Sequence, residues 1–140
     1  MSGQRVLIIT GGPPPQVVGR LPETDLTIAA DRGADHAIAL GLTIDLLVGD
    51  LDSVSPEGRN VCKEVLQYPV EKDDTDLELA LASSVAAGAG SVTIVTSAGG
   101  RLDHALANLL IAASDRWSTL RIDLVVDQAH IYVVRDEVEL

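Results

Sequence analysis

Short apolar runs rich in Val, Ile and Leu alternate along this chain with segments that have the pattern of helices. The apolar runs predict strands at 5–10, 25–30, 45–49, 65–68, 91–96 and 121–126. Helices are predicted between them at 33–41, 56–63, 76–88 and 103–116. Most of the strand runs lack polar alternation, which is typical of strands covered on both faces. We therefore predict a three-layer, Rossmann-like α/β fold, in which helices cover both faces of a mostly parallel sheet of about six strands.

The composition limits the classes of molecule that this protein is expected to bind. The 140 residues fit one domain, and 46% of them are hydrophobic, which is enough to build a core. A net charge of −11 repels nucleic-acid phosphates and anionic membrane surfaces, so we expect neither as a partner. Cys62 is the single cysteine, no apolar run reaches membrane-spanning length, and the chain starts without a leader pattern. We expect a cytoplasmic location.

Two local patterns mark the ends of predicted elements. Thr75 and Glu78 form the pattern of a capping box, which places the start of a helix at Asp76. Near the end of the chain a further β-like run, 130–134, leads into the last six residues. This run fits either a terminal strand at the edge of the sheet or a truncation before another β-module.

Carboxylates collect directly after the predicted strands. Because the carboxyl ends of parallel strands share one edge of a sheet, we expect these side chains to line a common cleft. Hard oxygen ligands without His or Cys select Mg²⁺, Ca²⁺ or Mn²⁺. Asp50-Leu51-Asp52 could instead be a turn or a helix cap, and residues 71–78 could be a solvated acidic face. The carboxylates concerned are Asp31, Asp50, Asp52, Asp73, Asp74 and Asp76.

A possible phosphate site follows the fifth predicted strand. Gly99 and Gly100 let backbone N–H groups approach an anion, Arg101 can bind phosphate oxygens in bidentate fashion, and Lys72 adds a second cation. The alternative is a plain glycine turn, and neither glycine loop matches a dinucleotide fingerprint or a P-loop. Other chemistry-bearing residues have no ligand or nucleophile spacing, so we expect them to be packed, exposed or capping: His36, His104, His130, Cys62, Ser53 and Ser97.

The order of these motifs resembles the amino-terminal catalytic domain of the thiamine pyrophosphokinase family. The four matching segments cover most of residues 1–134, and they are Ala30–Asp35, Gly49–Ser53, Glu71–Glu78 and Gly99–His104. The resemblance implies transfer of a pyrophosphoryl group from ATP to the hydroxyl of thiamine, which yields thiamine diphosphate and AMP. It implies a homodimer that binds ATP and thiamine.

The resemblance also assigns roles to residues. It implies a Mg²⁺ ion held by Asp50, Asp52 and Asp76, which form the catalytic set together with Asp31. Asp31 or Asp50 would orient the acceptor hydroxyl or take its proton. The residues expected to bind the nucleotide are Gly12, Lys72, Thr75, Gly100, Arg101 and Asp103.

The sequence allows alternatives for the domain organisation and for the alcohol that accepts the pyrophosphoryl group. We expect residues 1–134 to form the catalytic nucleotide-binding domain, and 135–140 to begin a β-sandwich that completes the thiamine site in this family. The acceptor could also be another alcohol, such as 6-hydroxymethyl-dihydropterin. Clustered carboxylates also suit Mg²⁺-dependent phosphate hydrolysis, and a nucleotide-binding domain without activity is the alternative outside enzymology.

Overall fold

The computed structural model describes residues 3–11, 13–17, 19–30, 32–49, 62–67, 75–99 and 102–135. Within these ranges it contains seven strands and three α-helices, and the last two strands form a β-hairpin. The strands are β1 (Gln4–Ile9), β2 (Leu26–Ala30), β3 (Ile44–Gly49), β4 (Cys62–Gln67), β5 (Ala89–Thr96), β6 (Arg121–Val126) and β7 (Ala129–Tyr132). The helices are α1 (Gly33–Ala39), α2 (Asp76–Ala86) and α3 (Leu102–Ala113), and a short 3₁₀ helix spans Asp115–Trp117.

All described strands belong to one sheet in the order β4-β3-β2-β1-β5-β6-β7. Strands β1 to β6 are parallel to their neighbours, and β7 pairs antiparallel to β6. The predicted α/β fold with a mostly parallel sheet is therefore confirmed. From β1 the chain first extends the sheet towards β4, and it then returns to the other side of β1 with β5. The order of the strands thus reverses between β1 and β5.

Two predicted elements differ from the structure. The helix predicted at 56–63 is wrong at its end, because Cys62 and Lys63 lie in β4, and residues 56–61 lie outside the described residues. Parallel pairing with β3, from Ile44 opposite Cys62 to Gly49 opposite Gln67, overrides the local helical pattern. The helix predicted at 103–116 ends at Ala113, and Ser114 caps the 3₁₀ turn that follows. The run predicted at 130–134 contributes to β7, which pairs with the edge of the sheet.

The core is aliphatic and lies on both faces of the sheet. Alternate residues of β1 point to opposite faces, so Val6 and Ile8 belong to one buried cluster while Leu7 and Ile9 belong to the other. The first cluster includes side chains of α2 and α3, and the second includes Ala34 and Ala37 of α1. The continuous apolar runs that predicted the strands are therefore explained by burial on both sides.

The end of α3 carries the single tryptophan of the chain. Trp117 lies in the 3₁₀ turn, is 3% exposed and packs in the same cluster as Leu120 and Ile122. The Arg116 guanidinium lies 4.5 Å from the centre of its ring. Arg135 donates to the carbonyl oxygens of Ala112, Ala113 and Ser114, which caps the carboxyl end of α3. Within the described residues, no helix is both long and apolar enough to cross a membrane.

Gly33 sets how closely α1 approaches the end of β1. A Cβ atom on Gly33 would lie 2.0 Å from the carbonyl oxygen of Ile9 and 2.7 Å from its carbonyl carbon. These are backbone atoms of a central strand, so they have little freedom to move. Glycine is therefore required here by contact with β1, which holds the start of α1 against the sheet.

We expect Gly33→Ala to lower the free energy of unfolding by about 3 kcal/mol, because the added methyl group overpacks a rigid contact. Gly88→Ala is the matched control, since its φ of 82° is left-handed but no atom lies within 4 Å of the added Cβ. That control should cost about 1 kcal/mol from backbone strain alone. Urea titration of both variants measures the difference, and equal losses would contradict the close-contact explanation.

Candidate functional site

A cleft of about 800 Å³ opens at the carboxyl ends of the central strands. Thr10 and Gly11 follow β1, Ala30 ends β2, and Thr96 and Ser97 lie at the end of β5; all of them line this cleft. It therefore lies where the strand order reverses, which is the usual ligand site of open α/β sheets. Its volume is in the range of pockets that bind small molecules.

The amino end of α2 forms one wall of the cleft. Thr75 and Asp76 both line it, and the predicted capping box is confirmed. The Thr75 hydroxyl accepts from the Glu78 N–H at 3.2 Å, while Glu78 Oε1 accepts from the Thr75 N–H at 3.0 Å. This reciprocal capping fixes the first turn of α2. Asp76, the first residue of that helix, is therefore held in place at the wall of the cleft.

A network of hydroxyl and amide groups joins three elements beneath the cleft. The Thr10 hydroxyl donates to Thr96 Oγ1 at 2.7 Å, and Asn108 Nδ2 donates to the same oxygen at 3.3 Å. Thr10 and Thr96 are buried, at 7% and 3% exposed. Since all three side chains also line the cleft, the network links β1, β5 and α3 at the place where a ligand would bind.

The turn after β5 is held by a carboxylate from the hairpin between β6 and β7. Asp127 Oδ2 accepts from the Ala98 N–H at 3.0 Å and from the Ser97 hydroxyl at 3.2 Å. Its Oδ1 accepts from the Gln16 N–H, in the loop after β1, at 2.9 Å. Burial alone would raise the pKa of Asp127, but the bonds from Gln16, Ala98 and Ser97 together outweigh it and lower that pKa below its ordinary value.

Basic and titratable side chains also border the cleft. Three of them line it: Arg32 at the start of α1, His36 in the last turn of α1 and His104 in the first turn of α3. Neither histidine has a ligand spacing in the sequence, and the structure places both of them at the cleft. His130 lies elsewhere, paired with Asp123 at 2.5 Å on the hairpin.

The structure brings part of the predicted site together. Thr75 and Asp76 lie in the cleft as expected, and one carboxylate oxygen of Asp76, Oδ1, is shielded from solvent. Asp103 lies exposed in the first turn of α3, and it is not among the described lining residues. The remaining predicted site residues lie outside the described part of the chain: Gly12, Asp31, Asp50, Asp52, Lys72, Gly100 and Arg101.

The carboxylate site for a metal stays a prediction. In the ranges that the structure describes, no group of three His, Cys, Asp or Glu residues is arranged to hold a metal ion. Two of the three predicted ligands, Asp50 and Asp52, fall outside those ranges. Asp76 supplies a hard oxygen donor of the kind that Mg²⁺ prefers.

Several residues at the cleft have no counterpart in our sequence prediction: Thr10, Thr96 and Asn108 line it, and Asp127 accepts a hydrogen bond from Ser97, which lines it. Asp127 could have been found by the rule that located the other carboxylates, because it directly follows β6. The two threonines and the asparagine have no sequence signature, since their role depends on which strands are neighbours.

Comparison with known proteins gives a consistent result. A family model described as "Thiamin pyrophosphokinase, catalytic domain" matches residues 20–126. The thiamine pyrophosphokinase of Bacillus subtilis (strain 168) is 30% identical over an alignment of 131 residues, and this alignment covers 89% of this chain and 61% of that protein.

Solved structures of similar proteins share the fold. A thiamin pyrophosphokinase family protein from Enterococcus faecalis superposes with a TM-score of 0.75 at 36% identity, over 91% of this chain and 64% of that one. The structure of the Bacillus subtilis thiamine pyrophosphokinase gives a TM-score of 0.73 at 28% identity, over 90% and 62% of the two chains. The chain thus spans about three fifths of the length of these relatives.

We expect Thr96→Val to lower the free energy of unfolding by about 1–3 kcal/mol, because Thr10 and Asn108 both lose a buried hydrogen-bond partner. Valine keeps the shape of threonine, so the change tests the hydroxyl group alone. Thr119→Val, at an exposed position, is the control and should change stability by less than about 0.5 kcal/mol. Chemical denaturation compares the two, and an equally stable Thr96→Val variant would show that the network contributes nothing.

Proposed function

This chain belongs to the family of thiamin pyrophosphokinase catalytic domains, and on that premise we propose that it transfers the pyrophosphoryl group of ATP to the hydroxyl of thiamine. The observation that carries the proposal is the position of the cleft at the reversal of strand order, with the capped start of α2 in its wall.

Binding of the triphosphate is supported by the helices around the cleft. Residues at the amino ends of both α2 and α3 line it, so the positive ends of two helix dipoles lie at its border. Arg32 adds a guanidinium from the start of α1. These groups offset locally the repulsion that a chain with a net charge of −11 would exert on ATP. Thr75, which lines the cleft, and Gly12, Lys72, Gly100 and Arg101 complete our proposed nucleotide site, while Asp103 is proposed at its margin because it does not line the cleft.

Mg²⁺ is proposed as the cofactor because of the chemistry of its donors. Asp76 presents a carboxylate in the cleft, and we propose Asp50 and Asp52 as its further ligands. When bound, the ion would neutralise charge on the phosphates during transfer. Asp76 itself is held by the capping box, which keeps its backbone fixed while a ligand enters and leaves.

The chemical step follows from the identity of the products. The acceptor oxygen forms a bond to the β-phosphorus of ATP, and the bond between this phosphorus and the oxygen bridging to the α-phosphate breaks. The bridging oxygen leaves with AMP, and the proton of the acceptor hydroxyl passes to a base, for which we propose Asp31 or Asp50. Most of the rate enhancement in such a reaction comes from positioning and charge neutralisation.

Other features of the proposal follow from the family. We propose a three-layer, Rossmann-like nucleotide-binding domain over residues 1–134, a homodimer, and a cytoplasmic location. Thiamine is the proposed acceptor, and we propose that residues 135–140 begin the β-sandwich that contributes to its site. The other acceptors and activities are outcomes of the test below.

We expect the chain to bind ATP only weakly without MgCl₂. We expect it to form AMP from ATP and thiamine only slowly, because just residues 135–140 of it are proposed to belong to the β-sandwich that contributes to the thiamine site. Asp76→Asn should lower the affinity for ATP with Mg²⁺ by about tenfold, because it removes a charged ligand at nearly constant shape. Asp115→Asn is the control with the same change of charge, since Asp115 lies exposed in the 3₁₀ turn beyond the far end of α3. Calorimetric titration measures binding, and chromatography of the nucleotides measures AMP.

Four outcomes distinguish the candidate functions. AMP that forms only with thiamine supports the proposal, whereas AMP that forms with 6-hydroxymethyl-dihydropterin and not with thiamine favours the alternative acceptor. Phosphate release without any acceptor indicates a hydrolase. ATP binding without turnover indicates a domain that binds nucleotide only, and full Mg²⁺-dependent affinity in Asp76→Asn would remove Asp76 from the metal site.

A further inference from the structure

We propose that Asp127 is a positioning residue for the nucleotide site, which holds the turn after β5 and the loop after β1 at the walls of the cleft. This inference rests on the proposed function, because it takes the ligand of the cleft to be a nucleotide. Asp127 belongs to none of the motifs that carry the family resemblance, and its side chain acts through its neighbours rather than on the ligand.

The carboxylate joins segments that are remote in sequence. Gln16 is 111 residues away along the chain, and its N–H donates to Oδ1 at 2.9 Å. Ala98 is 29 residues away, and its N–H donates to Oδ2 at 3.0 Å. Pro13 and Pro14, just before Gln16, line one side of the cleft, while Ser97 and Gly99, on either side of Ala98, line another. One side chain therefore sets the distance between two walls.

The hydroxyl of Ser97 extends this control to the glycine turn. A carboxylate can only accept a hydrogen bond, so the hydroxyl must donate its one proton to Asp127, at 3.2 Å. Its oxygen is then left to accept the Gly99 N–H, which lies 3.1 Å away. Asp127 thereby fixes the orientation of the hydroxyl that holds the first glycine of the Gly99-Gly100-Arg101 segment. We have assigned the other two residues of this segment to the nucleotide.

The backbone around Asp127 is shaped for this position. Its N–H donates to the Thr96 carbonyl at 3.3 Å, which continues the pairing of β5 with β6 by one residue. Its φ is 53°, a left-handed conformation that no other described residue except glycine adopts. Asp and Asn tolerate this conformation best among residues with a side chain, but Asn offers one acceptor oxygen where Asp offers two.

Asp25 provides a natural comparison because it lies at the amino ends of the strands, whereas the cleft lies at their carboxyl ends. It lies just before β2, and its carboxylate also accepts from a backbone N–H, that of Arg5, at 2.9 Å. The Arg5 guanidinium binds it as well, and these bonds lower the pKa of Asp25. The two carboxylates thus make the same kind of bond, but only Asp127 makes it beside the cleft. We expect loss of either carboxylate to lower stability, but only loss of the Asp127 carboxylate to weaken ATP binding.

The test measures ATP affinity in the presence of MgCl₂ for the full chain and three variants, well below the melting temperature of each. In Asp127→Asn the amide Nδ2 replaces one of the two carboxylate oxygens, so at least one of the three donors, on Gln16, Ala98 and Ser97, loses its acceptor. We expect its Kd for ATP to rise about tenfold, as for the loss of a hydrogen bond to a charged group. Asp127→Gly removes all the acceptors but suits the left-handed backbone, so it covers the case in which the Asn variant fails to fold. Asp25→Asn should melt at a lower temperature and bind ATP like the wild type.

Each outcome decides the inference. Weaker ATP binding by the folded Asp127 variants, with unchanged binding by Asp25→Asn, supports it. Wild-type affinity in the Asp127 variants overturns it while leaving the proposed function in place, and an equal loss in Asp25→Asn overturns it by showing general destabilisation. Failure of the wild-type chain to bind ATP would contradict the proposed function and the inference together.

Discussion

The pairing of β1 with β5 is the constraint on which the rest of the structure depends. Their register places Ile9 opposite Val95, so the two strands end at the same level, and the bond between the Thr10 and Thr96 hydroxyls joins these ends. The sheet extends outwards on both sides of this pair, with β2, β3 and β4 beyond β1 and with β6 and β7 beyond β5. The connecting segments therefore leave the sheet on opposite faces, because parallel crossovers are right-handed, and the space between them is the cleft. The other groups that shape the cleft are positioned by β1 and β5 in turn. Helix α2 leads directly into β5, and Asp127 accepts hydrogen bonds from the turn that follows β5.

Much of the fold could be predicted because burial leaves a direct trace in the sequence. Continuous aliphatic runs identified the central strands to within about two residues, and the Thr75–Glu78 pattern located the start of α2. Strand β4 was the exception, since Cys62–Gln67 includes Lys63, Glu64 and Gln67 and lies at the edge of the sheet. An edge strand of mixed polarity has little local signal, and its conformation is decided by the strand beside it. The order of the strands is also a property of pairing rather than of any local segment.

The candidate site was predictable where it follows a rule of topology. The rule that strand ends converge correctly brought Thr75 and Asp76 to the cleft. On α3, however, His104, Ala107, Asn108 and Ile111 face the cleft at helical spacing, and Asp103 is not part of that row. A rule that considers only sequence position does not distinguish a helix residue that faces the cleft, such as His104, from the residue next to it, Asp103, which does not. Asp127 obeys the rule too, but nothing local in the sequence indicates its bonds, because its partners Gln16 and Ala98 are remote from it along the chain.

The burial of Trp117 has a spectroscopic consequence. This is the chain's one indole, it lies just beyond the carboxyl end of α3, and it packs in the same cluster as Ile111, a residue of that helix that also lines the cleft. Its emission should be that of an indole in an apolar environment and should shift to longer wavelength when α3 separates from the sheet. Because Trp117 packs in the core cluster that includes Ala112 of α3 and Ile122 of β6, its fluorescence reports the integrity of the packing between this helix and the sheet. Unfolding can therefore be followed optically through a single buried side chain.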